Sequence, residues 1–322
     1  MSHPIAAAAL VALPLFAHAA PLGWTINTID PNLPFSSMLP AAINDAGVIS
    51  GEWVDTALVT HGFVLSGGQF TSFDAPLADG SAAFGVRGTQ GLGMNSGGTI
   101  VGDYVAGGKA HGFVRDSAGN FSTLDLAGHT DTALFGINDS GTIAGQYDDG
   151  RQAPYGSFLR SATGVVTLVA FPSSTSTGIT SLNNSGETVG GWVDAASGVH
   201  SFLRNAVGVF TTIDVPGYRL TGAWGINSVG WIVGELDDTS TSHGFVRDPA
   251  GLVTAFDVSG ATSTSAFAID TRGDIIGQYC DAGGTCHGFL ATPAVPEPAH
   301  WMLLSAGFIV LGVQWRRQRR GS

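Results

Sequence analysis

Residues 223 to 260 read Ala223-Trp-Gly-Ile-Asn-Ser-Val-Gly-Trp-Ile-Val-Gly-Glu-Leu-Asp-Asp-Thr-Ser-Thr-Ser-His-Gly-Phe-Val-Arg-Asp-Pro-Ala-Gly-Leu-Val-Thr-Ala-Phe-Asp-Val-Ser-Gly260, one of six versions of a single unit. Self-similarity at a period of a few tens of residues marks repeat architectures, so it decides the fold before any local reading does. Three landmarks recur in order. The first is Ile-Asn-Asp-x-Gly and a β-branched run, led by Asn44, Asn95, Asn138, Asn183, Asn227 and Asp270 at spacings of 51, 43, 45, 44 and 43 residues. Asn and Asp start turns through their own side chains and glycine takes the left-handed position, so each copy predicts a tight hairpin between two short strands.

The second landmark is His-Gly-Phe or His-Ser-Phe. Its phenylalanines are Phe63, Phe113, Phe158, Phe202, Phe245 and Phe289, with His61, His111, His200, His243 and His287 two residues earlier and Gly156 in the third copy. The third is a Thr-rich strand ending in Asp74, Asp125, Asp214 or Asp257, with Ala170 in the third copy. Each copy thus holds about four short strands and no helical period of apolar residues. The expected class is all-β, a six-bladed β-propeller of four-stranded antiparallel blades.

The chain ends support closure of a ring. Copy six lacks its Thr-rich strand, and Trp24-Thr-Ile-Asn-Thr-Ile-Asp30 matches that strand when Asp30 is set on Asp214. A blade completed by the N-terminal strand leaves no exposed sheet edge. An open β-solenoid, the competing fold, predicts no contact between Trp24–Asp30 and His287.

Histidine and aspartate stand 13 residues apart in copy one and 14 in copies two, four and five. A hairpin folded between them sets Phe202 against Thr212 and Arg204 against Phe210, and puts His200 beside Asp214. The pairs His61 and Asp74, His111 and Asp125, His200 and Asp214, His243 and Asp257, and His287 and Asp30 are therefore expected to be structural clamps. The third copy has lost both partners together.

The repeats resemble the HAF-type extracellular repeat, with Gly or Ser in place of its Ala, over roughly residues 40 to 292. The resemblance implies an exported bacterial protein and supplies no catalytic residue. Val295-Pro296-Glu297-Pro298, the apolar run Trp301 to Val313, and Arg316, Arg317, Arg319 and Arg320 resemble a PEP-CTERM sorting signal. That implies an exosortase-type sorting enzyme as partner, a Gram-negative host making exopolysaccharide, and transient or retained anchoring in the inner membrane. The run is short for a span of about 20 residues, and the arginines would hold its end on the cytoplasmic side.

At the other end, the apolar run Ile5 to Phe16 and Ala17-His-Ala19 read as a signal peptide cleaved before Ala20, although no Lys or Arg precedes the run. The division is a signal peptide at 1–19, the propeller at 20–294 and the sorting tail at 295–322. Net charge is −12, with four of thirteen basic residues in the tail, which argues against nucleic acid as a partner. Cys280 and Cys286 flank one hairpin loop; in an oxidising compartment they predict a disulfide, and a two-cysteine metal site is the weaker reading.

A second periodic set follows the second strand: Trp53 and Asp55, Tyr147 and Asp149, Trp192 and Asp194, Asp238, and Tyr279 and Asp281. On one face of a propeller these could bind sugar by stacking and hydrogen bonds, or hold calcium. The competing reading makes each Asp a turn starter and each aromatic a packing group. No cofactor is expected, calcium being the one ion these carboxylates suggest. Catalysis needs an asymmetric constellation, and nearly every His and Asp here is repeated. The local asymmetries are Asp148 and Arg151 in copy three and a Gly-rich extension, Arg87 to Gly93, in copy two. The sequence therefore reads as a non-catalytic binding or structural propeller at the cell surface or in the extracellular matrix, for exopolysaccharide or another surface partner. The alternative is a propeller glycoside hydrolase or lyase acting on extracellular polysaccharide.

Overall fold

Alternating buried and half-exposed positions in runs of three to eight residues leave only strands as regular structure in the described part of the chain. The computed structural model describes residues 23–31, 33–83, 86–148 and 156–294. Strand β1 is Trp24–Thr28. Repeat one folds as β2 (Ser37–Ile43), β3 (Ile49–Val54), β4 (Thr60–Ser66) and β5 (Gln69–Phe73). Repeat two gives β6 (Thr89–Met94), β7 (Ile100–Ala106), β8 (Lys109–Arg115) and β9 (Phe121–Thr123); repeat three gives β10 (Asp131–Ile137), β11 (Ile143–Asp148), β12 (Gly156–Arg160) and β13 (Val166–Val169). Repeat four is β14 (Ser176–Leu182), β15 (Thr188–Val193), β16 (Val199–Arg204) and β17 (Phe210–Thr212). Repeat five is β18 (Leu220–Ile226), β19 (Ile232–Asp237), β20 (Ser242–Arg247) and β21 (Val253–Phe256), and repeat six is β22 (Ser263–Ile269), β23 (Ile275–Cys280) and β24 (Cys286–Pro293).

Repeats two to five each form a separate antiparallel four-stranded meander. Repeats six and one differ from the expected separate sheets: they share one eight-stranded sheet, in which β24 neighbours both β2 and β1. The link to β2 is a single parallel bridge, Ser37 to Cys286, whereas neighbours within a repeat pair antiparallel over several residues. Further along β24, Ile29 N–H donates to the Gly288 carbonyl at 2.9 Å. The first strands of successive repeats contact one another in cyclic order, β2, β6, β10, β14, β18 and β22, and β22 returns to β2. They surround a common axis.

The core is a set of equivalent slots between neighbouring sheets. Phe63, Phe113, Phe158, Phe202, Phe245 and Phe289 are all 0 or 1% exposed, each opposite a glycine on the second strand of its repeat. The glycine is required by close approach: a Cβ on Gly234 would lie 1.8 Å from the Gly222 carbonyl oxygen and 2.6 Å from the Phe245 ring.

The turn asparagines do more than start turns. Asn44 Oδ1 accepts from the Ala46 and Val48 amides within its own hairpin. Elsewhere the amide Nδ2 also reaches the next repeat: Asn138 to the Asn183 carbonyl, Asn183 to that of Asn227, and Asn227 to that of Asp270, at 2.9 to 3.2 Å. Thr271 N–H donates to Asp45 at 2.9 Å, joining repeat six to repeat one.

Two sequence expectations change. The extra length of repeat two is not Arg87 to Gly93, because 89–94 are strand β6; it lies in the connection 74–88, longer than its counterpart 124–130. Gly91 and Gly93 are strand glycines under close packing, since a Cβ on Gly93 would sit 2.8 Å from the Gly136 Cα. Residues 25–292 form one compact unit; residues 1–24 with 293–322 form another, of which only 23, 24, 293 and 294 are described. Both expected sorting labels, including Pro296, Glu297 and Pro298, lie outside the described residues, as do Asp149 and Arg151. Among the described residues no helix is long and apolar enough to cross a membrane.

Candidate functional site

In repeats one, two, four and five the third strand carries the histidine and the chain after the fourth strand the aspartate, so a hairpin register brings them together; repeat six takes its aspartate from the N-terminal segment. Phe202 pairs with Thr212 and Arg204 with Phe210. His61 Nδ1 lies 2.9 Å from Asp74, His111 Nδ1 2.9 Å from Asp125, His200 Nδ1 2.6 Å from Asp214, and His243 Nδ1 2.9 Å from Asp257. Across the two chain ends, His287 Nδ1 lies 2.6 Å from Asp30, whose other oxygen accepts from Gly288 N–H.

The second periodic set turns inward on the same histidines. His200, His243 and His287 set Nε2 3.4 Å from Asp194, Asp238 and Asp281, and His61 sets it 3.6 Å from Asp55. Each of these aspartates also closes its own loop: Asp55 Oδ1 accepts from the Ala57 and Val59 amides, Asp194 Oδ1 from Ala196 and Gly198. The aromatics stack on the imidazoles, Trp53 on His61 at 4.7 Å, Trp192 on His200 at 4.5 Å and Tyr279 on His287 at 5.1 Å. Four repeats therefore hold an Asp–His–Asp chain, in three of them under a stacked aromatic ring and in repeat five opposite Leu236, and these groups are engaged within the ring of sheets. In the third repeat Tyr147 fills the place of the missing imidazole: a Cβ on Gly156 would meet its ring at 2.1 Å, and His129 packs on it at 3.9 Å.

The hydrogen bond that His200 donates to Asp214 leads in raising the His200 pKa. His243 and His287 are raised as well, burial working against the charge and their paired aspartates outweighing it. A raised histidine stabilises the fold below its unfolded pKa and loses that contribution as pH rises through its folded one. For His200→Ala and Asp214→Ala, a double-mutant cycle is expected to give a coupling on the order of 1 kcal/mol at pH 6, smaller at pH 8.5, because Asp214 is 44% exposed and screened. Urea unfolding of the four proteins measures it.

Near the axis the polar pattern is not repeated. One slot lies between the second strand of each repeat and the first strand of the next, occupied in order by Glu52, Asp103, Gln146, Gly191, Glu235 and Gln278. Most of these side chains find a partner on the next repeat. Gln90 donates to Glu52, Gln146 to the Ile179 carbonyl at 2.9 Å, Ser265 to Glu235 at 2.7 Å, and Gln278 to the Met38 carbonyl at 2.8 Å. In repeat two the slot holds Asp103, and the next repeat offers Ala133 where repeat two itself offers Gln90 to Glu52. Asp103 is 4% exposed and has no hydrogen-bond donor among the described residues. Burial pushes its carboxyl up to about 8, helped by the neighbouring Glu52 charge, and burial pushes Glu52 up to about 7 against the hydrogen bond from Gln90.

These groups line a cavity of about 290 Å³ over repeats one to three. Asp131 and Asp148, opposite each other in the β10–β11 ladder, form another part of its wall, and Asp131 Oδ1 accepts from the Ala110 amide at 2.8 Å. Phe135, Leu92 and Tyr147 supply apolar surface. Of this site the sequence reading flagged Asp148, Tyr147 and, within the stretch Arg87 to Gly93, Gln90 and Leu92, but neither Glu52 nor Asp103. Among the described residues no group of three or more His, Cys, Asp or Glu side chains is set to share a metal ion. Away from the cavity, Cys280 and Cys286 are disulfide-bonded across the β23–β24 hairpin.

No protein-family profile matches the chain, and no curated protein does. Solved structures do. A gluconolactonase from Xanthomonas campestris superposes with a TM-score of 0.51 at 13% identity, over 85% of this chain and 92% of that one. The fold is a β-propeller. A fungal lectin from Aleuria aurantia, described as a six-bladed β-propeller, gives 0.49 at 13% identity, over 82% of this chain and all of that one. TolB from Acinetobacter baumannii gives 0.49 at 12% identity; the match covers 80% of this propeller and only 55% of TolB. At these identities the likeness is one of fold alone.

Proposed function

We propose that this propeller has six blades and serves, exported to the cell surface or the extracellular matrix, as a non-catalytic binding module for polysaccharide. The blade count is supported by the cyclic contacts of the six first strands and by an axial cavity lined from all six repeats, including Ile43, Met94, Ile137, Leu182, Ile226 and Ile269. On this count the eight-stranded sheet is two blades joined by the lone Ser37 bridge.

The observation that carries the scaffold reading is the engagement of the repeated groups. Each described His and Asp of the two periodic sets is paired with another, or with loop amides, so repetition here builds blades. Export and sorting by an exosortase-type enzyme rest on the resemblance of the two chain ends to a signal peptide and a PEP-CTERM tail. The acidic balance suits a protein kept soluble outside the cell.

One observation favours a second reading, a glycoside hydrolase or lyase: Glu52 and Asp103 are carboxyls held at about 7 and about 8 in one cavity, in the range of a general acid. Affinity electrophoresis of the full chain in gels carrying dextran, xanthan or galactomannan tests the binding reading. Retardation in at least one gel is expected, unchanged by EDTA because the loop carboxylates are occupied by histidine and backbone donors. Unretarded migration in all three gels would refute it.

A further inference from the structure

Asp103 is the anomaly of the ring. The corresponding Glu52, Gln146, Glu235 and Gln278 hydrogen-bond to the next repeat, but Asp103 meets Ala133, which has no side-chain donor. A polar group so buried is ordinarily paired, since leaving it unpaired costs most of its desolvation energy. Asp103 is not sealed in packing: it borders a cavity whose size is near the lower end of small-molecule sites, roughly 300 Å³. No described residue supplies the missing partner, and a ligand in the cavity would.

The lining selects its chemistry. A cation would have to be held by carboxylates, yet among the described residues no three are set to share one, and Asp131 is already bonded to the Ala110 amide. A wholly apolar guest would leave Asp103 as it is. A ring of hydroxyls with C–H faces meets both demands, laying its faces on Phe135 and Leu92 and a hydroxyl on Asp103, with the Glu52–Gln90 pair beside it.

We propose that the cavity over repeats one to three binds one neutral hexose unit of a polysaccharide, oriented by Asp103. This rests on the polysaccharide-binding reading and gives it a site. A carboxyl in this position serves either state of the ligand contact, donating to a sugar oxygen when protonated and accepting from a hydroxyl when ionised. The five other slots carry no such site: four are filled by residues bonded across the interface, and the fifth, in repeat four, by Gly191, which brings no polar side chain.

Saturation-transfer NMR on the full chain with methyl α-glucoside, methyl α-galactoside and methyl α-mannoside tests it, with Asp103→Ala, Asp103→Asn, Ala133→Leu and Glu235→Gln as variants. Transfer to at least one hexoside is expected in the unchanged protein. It should fall at least fivefold in Asp103→Ala, and in Ala133→Leu, which fills the cavity while keeping the carboxyl; it should persist in Glu235→Gln, which alters an equivalent slot elsewhere. Thermal melts identify any variant that fails to fold, and Asp103→Asn, equal in size, then stands in with a smaller but definite loss. Absence of transfer to all three hexosides overturns the proposal, as does full transfer in a folded Asp103→Ala. So does binding of calcium or ammonium ions in their place. Polysaccharide retardation that survives Asp103→Ala removes this site and keeps the binding reading; loss of retardation in the unchanged protein removes that reading itself.

Discussion

Phe245→Ala is expected to destabilise the protein by about 3–5 kcal/mol, the range for deleting a buried aromatic ring and leaving its cavity. Phe245 is 0% exposed and packs with Val189 and Ile213 from repeat four and with Ile232 and Leu236 from its own repeat, so its ring fastens two neighbouring sheets together. The backbone around it cannot collapse into the space, because Gly222 and Gly234 already approach to the limit that a missing Cβ allows. Thermal unfolding should show a fall in Tm of about 10 °C. Gly234→Ala should cost a comparable amount from the opposite cause, since its methyl would lie 1.8 Å from the Gly222 carbonyl oxygen. Losses below about 1 kcal/mol for both would mean that the phenylalanine slots do not hold the blades.

Stability is expected to fall as pH rises from about 5 to about 9, and Asp103→Asn should flatten that fall. The folded protein keeps the Asp103 proton up to about 8, and an unfolded chain releases it near 3.8. Between those values the native state binds more protons, so the contribution is present at low pH and lost as pH climbs through the folded pKa. Glu52 acts in the same sense up to about 7, and so do His200, His243 and His287 with their raised values. The described titratable groups facing Asp103 in the cavity are Glu52, Asp131, Asp148 and Tyr147, and none of these is a cation that would offset the penalty. Between pH 5 and pH 9 Asp103→Asn should gain stability relative to the unchanged protein by on the order of 4 kcal/mol, the linkage over the roughly three units up to the folded pKa. Below pH 4 the trend reverses. Asp55, Asp194 and Asp281 are held low, first by loop amide hydrogen bonds and then by their histidines, so acid removes their contribution. Urea titrations across this pH range check both limbs; a flat profile for the unchanged protein would contradict the account.

Much of the fold was legible because the information is local. A hairpin register follows from the spacing between His200 and Asp214, and the match of Trp24–Asp30 to the Thr-rich strands pointed to β1 as the partner of β24. The glycines of repeat two misled for a physical reason: Gly91 and Gly93 look like a loop in sequence, yet they are strand positions where neighbouring backbone leaves no room for a side chain. The loop aspartates were weighed against free turns, and what sequence did not supply was their second contact, the histidine Nε2 on the adjacent strand. The cavity was hidden more deeply. Its decisive feature is Asp103 meeting Ala133 across an inter-repeat slot, thirty residues apart, and neither residue is unusual alone. Laying the slot residues of all repeats beside the first-strand residues they face would have found it, since only there does an ionisable side chain meet one that cannot donate.

Binding without cleavage is the claim on which the functional account stands. Its most direct test incubates the full chain with the polysaccharide that retards it most, and follows bound protein and newly formed reducing ends or unsaturated termini in the same samples over a day at pH 6 and pH 8. The account predicts saturable binding with no new chain ends at either pH. Chain ends that accumulate in proportion to protein, and disappear in Glu52→Gln or Asp103→Asn, would contradict it and make the cavity an active site.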